Sequence, residues 1–132
     1  MKRTIFAVTV GFVATFVINT IIALMIIGPF FNQSLGIVRT PEQGLQIPAI
    51  LIGYLIVAYG MTWILQHIRR DGWLRPGIFV GGLTGVMVFA AGHMIIAGWS
   101  TVDTSALIYS GLFDAVSPMF GAVAIAYVLH RK

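Results

Sequence analysis

The sequence predicts an all-α integral membrane protein: a four-helix bundle that crosses the bilayer four times, with both termini on the cytoplasmic side. Two observations carry the fold class. Of the 132 residues, 58% are hydrophobic and 9% charged, against roughly 25% charged in ordinary soluble domains. Four stretches, 5–27, 47–66, 77–98 and 106–129, reach the ~20 apolar residues that a ~30 Å hydrocarbon core demands at 1.5 Å per helical residue. They leave little chain for anything else, so one transmembrane domain, residues 1–132, is expected.

A third observation orients the bundle. Lys2 and Arg3 precede the first stretch, Arg69, Arg70 and Arg75 lie between the second and third, and Arg131 and Lys132 follow the fourth. With four crossings these fall on one side, and of the basic residues only Arg39 falls on the other. The positive-inside rule makes the basic side cytoplasmic, and the expected location is the bacterial inner membrane. In this setting the net charge of +4 reflects topology, and no nucleic-acid partner is expected.

The first stretch follows Met1–Arg3 as a signal peptide would, but its apolar run is too long and no small-residue cleavage site follows, so it reads as an uncleaved helix. Gly28-Pro29 then opens the long outer connection to Gln46. Within it, Thr40-Pro41-Glu42-Gln43 has a capping residue, proline at the first helical position and glutamine three residues after the cap, which predicts a short helix at the outer surface. A plain linker and a partner contact are equally good readings of this segment. Phe30, Phe31 and Trp99 near the outer ends, and Trp63, Trp73 and Tyr127 near the inner ends, fit interfacial anchoring.

Two strips of small residues predict where helices approach closely. In the third stretch Gly77, Gly81 and Gly85 repeat every four residues, and Gly92 returns to the same face at ~100° per residue. In the fourth, Gly111, Ala115, Ala122 and Ala126 share a narrow arc. Packing within the bundle is the simpler reading of either strip; contact with a second protein is the alternative. Ser117-Pro118 predicts a bend in the fourth helix.

Polar residues inside the spans are few, and each is a functional candidate because burial in lipid is costly. At 1.5 Å per residue, Asn19, Tyr54, His93 and Asp114 come out at about 13, 10, 8 and 12 Å from the outer boundary. One hydrogen-bonding residue per helix at comparable depth predicts an intramembrane polar layer, with Asp114 and His93 as a hydrogen-bonded pair. A proton relay and a cofactor contact are the functional alternatives. Ala90, Ala91 and Gly92 leave room for a flat ring beside His93, whose imidazole could ligate a haem or chlorophyll metal, though a lone intramembrane histidine more often makes a hydrogen bond. No metal site is expected; bound lipid is, and a pigment or quinone is a further candidate. His67 and His130 read as interfacial.

Enzymatic function is not expected. The chain has no cysteine, which removes disulfide, thiolate-metal and thiol redox chemistry. It also shows no paired carboxylates, metal-ligand repeat or phosphate-binding glycine loop. Small four-helix multidrug carriers are of similar length, but they use a glutamate in the first span, where this chain has no acid. The expected function is that of an accessory or structural subunit packing against other transmembrane proteins, as photosynthetic and respiratory assemblies contain. A small-solute or proton-coupled transporter acting as an oligomer is the alternative. The run from Gly111 to Arg131, GLFDAVSPMFGAVAIAYVLHR, resembles the last helix of small bacterial four-helix membrane proteins. That resemblance implies the topology and no particular activity.

Overall fold

The computed structural model describes residues 1–35, 46–68 and 72–131. Its described secondary structure is all helical, and four helices are long and apolar enough to cross a membrane: Lys2–Phe31, Ile47–His67, Leu74–Trp99 and Thr104–His130. The surface helix expected around Thr40–Gln43 lies outside the described residues.

Three of the four spans are interrupted, each for a local reason. The first runs as α1 (Lys2–Ile22), widens into a π turn at Ala23–Ile27, and continues as α2 (Gly28–Leu35). Gly28-Pro29, expected to end the span, is therefore inside it. Proline has no N–H, and the π turn, in which Gly28 N–H reaches back to Ala23 O, already breaks the regular ladder where that donor would be needed. The second span, α3 (Ile47–His67), is uninterrupted and carries Pro48 in its first turn, where the missing N–H is harmless.

The third span runs as α4 (Leu74–Thr84), a π turn at Gly85–Ala90, and α5 (Ala91–Trp99). A four-residue connection leads to the fourth span, whose first half, α6 (Thr104–Asp114), is capped by Asp103 Oδ1 accepting from Ala106 N–H at 2.6 Å. At Ala115–Val116 the ladder opens, and α7 (Ser117–His130) carries Pro118 in its first turn. Proline frees the Asp114 carbonyl, and the Ser117 hydroxyl lies 2.9 Å from it, in place to donate. The bend expected at Ser117-Pro118 is a break in the helix.

The fourth span is central, clamped between the first and the third. Glycines let the backbones meet. A Cβ on Gly77, Gly81 or Gly85 would lie 2.7 Å from Val123 Cα, 2.4 Å from Met119 Cα and 2.0 Å from Ala115 O, respectively. The two four-residue repeats thus run past one another antiparallel: 77, 81 and 85 against 123, 119 and 115. A second seam joins α1 to α7. A Cβ on Gly11 would strike Ile125, one on Gly121 would strike Thr15, and one turn further on Asn19 meets Ser117. Gly11 and Gly121 were not among the expected packing residues, since in α1 a lone glycine among valines and phenylalanines gives no repeat to notice.

Gly92 is corrected by the structure: it faces open space rather than continuing the strip. The π turn explains this. It adds about one residue to the turn, so the inward positions after Gly85 become Ala90, His93 and Ala97, of which Ala90 and Ala97 are buried. An unbroken α-helix would have brought positions 89, 92 and 96 inward.

One end of the bundle gathers Thr4, which accepts from Gln66 Nε2 at 2.8 Å, and Arg3, whose guanidinium donates to Val128 O at 2.8 Å and to Arg131 O. Trp73 packs edge-on against Tyr127 there. The start of the first span, the end of the second, the start of the third and the end of the fourth therefore lie together.

Candidate functional site

The site lies where the fourth span breaks. Asp114 is the last residue of α6 and is 7% exposed. Ser117, fully buried, places its hydroxyl 3.0 Å from Asn19 Oδ1 on α1 and 2.9 Å from the Asp114 carbonyl. It has one hydrogen for two acceptors, so either it shares that hydrogen between them, or it donates to the Asp114 carbonyl while accepting a hydrogen bond from the Asn19 amide turned over. Ser117 belongs to the site, yet the sequence reading used it only as part of a bend. The signal was available: a hydroxyl next to a proline inside a span has a freed carbonyl within reach.

His93 approaches from the third span. Its Nδ1 lies 2.8 Å from Phe89 O, one turn earlier, and its Nε2 lies 3.7 Å from Asp114 Oδ2. That second distance is within ion-pair range and too long for a hydrogen bond. The other carboxylate oxygen, Oδ1, is buried with no hydrogen-bond partner among the described residues. Gly111 makes the approach feasible: a Cβ there would lie 2.5 Å from His93 Cβ and 3.0 Å from Phe89 O.

Tyr54, from the second span, sits at the edge of this cluster between two rings, 5.6 Å from Phe16 in a T-shaped contact and 6.3 Å from Phe89 in a stacked one. Of the four predicted polar residues, the structure thus links Asn19 to the Asp114 turn through Ser117 and brings His93 to its carboxylate. Tyr54 is held by aromatic packing.

Among the packing residues, Gly77, Gly81, Gly85, Gly111 and Ala115 all lie in contacts of the fourth span with the third. Among the described residues no group of three or more His, Cys, Asp or Glu is placed to hold a metal ion. The side of His93 toward Gly111 is filled by that close contact, and its Nδ1 is committed to Phe89 O, so any flat cofactor would have to approach along the Nε2 edge that Asp114 faces.

No protein-family model matches this chain, and no curated protein or solved structure matches it, so what the site does must be read from its own residues.

Proposed function

We propose that this is a multi-pass protein of the bacterial inner membrane, with both termini cytoplasmic, that serves as a non-enzymatic subunit packing against other transmembrane proteins. The observation that carries this reading is a division among the glycines. Six of them, Gly11, Gly77, Gly81, Gly85, Gly111 and Gly121, are filled by a neighbouring helix, whereas Gly53, Gly60, Gly82, Gly92 and Gly98 have no atom within 4 Å of where a Cβ would lie.

In lipid, helices associate by close packing of small residues rather than by a hydrophobic drive. A helical glycine costs up to about 1 kcal/mol relative to alanine, and these five return nothing to the bundle. Gly53 and Gly60 are seven residues apart on one face of α3, interleaved with Ile56 and Trp63, which are 65% and 56% exposed. Notches alternating with large apolar side chains suit a partner helix, as in a photosynthetic or respiratory assembly. Bound lipid would cover the rest of the apolar surface.

Mild detergent extraction from the native membrane, size separation and mass spectrometry test the proposal. Co-migration with a larger set of transmembrane proteins supports it. Migration as a small particle with lipid alone removes it. A second reading, a small-solute or proton-coupled carrier acting as an oligomer, is favoured by the broken fourth span beside Asp114, because discontinuous helices commonly form intramembrane sites in carriers. Solute flux into vesicles holding the purified chain would select it.

A further inference from the structure

The hydrogen-bond geometry around His93 fixes where its protons are. Nδ1 lies 2.8 Å from Phe89 O; a carbonyl oxygen only accepts, so Nδ1 carries a hydrogen. A neutral imidazole has a single N–H, which leaves Nε2 as a lone pair turned toward Asp114 Oδ2 at 3.7 Å. An ionised carboxylate is also acceptor-only. Two lone pairs would then face each other beside a carboxylate on a residue 7% exposed, in a bundle lodged in lipid.

One added proton removes the conflict whichever atom bears it. Imidazolium against carboxylate and imidazole accepting from a carboxyl group are both neutral overall, and in a poorly polar interior a neutral pair is far cheaper than a lone carboxylate.

The surrounding elements supply no other charge. The first span contributes Asn19 and has no Asp, Glu, Lys, Arg or His from Thr4 to Leu35. The second contributes Tyr54, between Phe16 and Phe89, and its Tyr59 is exposed, as is Tyr109 on the fourth. His93 and Asp114 are the only charged or basic groups within the third and fourth spans away from their ends. Asp114 Oδ1 has no hydrogen-bond partner among the described residues, so the carboxyl can turn to close the remaining gap to Nε2.

We propose that His93 and Asp114 together form a proton-binding site, one proton being held between Nε2 and Oδ2. Apart from that turn of the carboxyl, binding makes or breaks bonds only to the proton: a proton from water joins the lone pair of either group, and release returns it to water. The site stands on contacts between the third and fourth spans and does not depend on a partner protein.

The test uses the full chain, labelled with nitrogen-15 in histidine and reconstituted into phospholipid vesicles at neutral pH. His93→Gln assigns the His93 signals against those of His67 and His130. The expected result is a His93 Nε2 resonance displaced from that of a bare imidazole nitrogen, either protonated or hydrogen-bonded, and its return to the bare position in Asp114→Leu. A bare Nε2 in the wild-type chain overturns the proposal without any variant. So does a displaced resonance that persists unchanged in Asp114→Leu, because the proton would then owe nothing to the carboxylate.

Discussion

At the scale of single residues, glycines decide where backbones touch, and substitution separates the two kinds. Gly81→Ala and Gly85→Ala each push a methyl into the backbone of Met119 or Ala115, which cannot swing aside as a side-chain tip can. Such overpacking costs about 1–3 kcal/mol and outweighs the ~1 kcal/mol of helix propensity gained. Thermal unfolding in detergent should show both variants less stable than wild type, and Gly82→Ala and Gly92→Ala as stable or more so. The four-residue repeat of Gly77, Gly81 and Gly85 was legible in the sequence because spacing alone carries it. Gly11 and Gly121 were not, since each becomes meaningful only against the particular residue opposite, Ile125 or Thr15. The site shows the same limit. Depth along the helix suggested Asp114, His93 and Asn19, because depth follows from counting residues; the role of Ser117 follows from which way a hydroxyl points once proline has opened the turn.

At the scale of elements, the breaks position the site. The π turn at Gly85–Ala90 rotates everything after it, bringing His93 inward and Gly92 outward. Nothing in GVMVFA marks a π turn, which is why counting at a constant 100° per residue placed Gly92 on the wrong face. Deleting the exposed Val88 should restore a continuous α-helix and rotate the segment from Phe89 to Trp99 by about 100°. The variant is expected to lose the displaced Nε2 resonance of His93 and to melt lower, as Ala97 leaves its cluster with Ala106 and Leu107. An unchanged spectrum would mean that the π turn does not set the register. Proline was a better guide in the fourth span, where Pro118 requires an opened ladder, than in the first, where the π turn accommodates Pro29.

At the scale of the whole molecule, four helices long and apolar enough to cross a membrane were readable because length and apolarity are properties of composition. Topology has a direct check, made easy by the absence of cysteine. Single cysteines at Thr4, Gly72 and Arg131 should react only with a thiol reagent supplied from the cytoplasmic side, and one at Thr101 only from the opposite side. What composition does not reveal is which apolar faces meet lipid and which meet protein. The proposal takes the unfilled glycines as the mark of a protein-facing surface, which makes the packing role of α3 its central claim. Its most direct test is to replace Gly53 and Gly60 together with leucine and to follow the chain through extraction and size separation. Neither position has an atom within 4 Å of the added Cβ, so the bundle should fold with wild-type stability. The account predicts that the wild-type chain migrates with a larger assembly and that this folded variant does not. A variant that stays in that assembly as fully as wild type would contradict it.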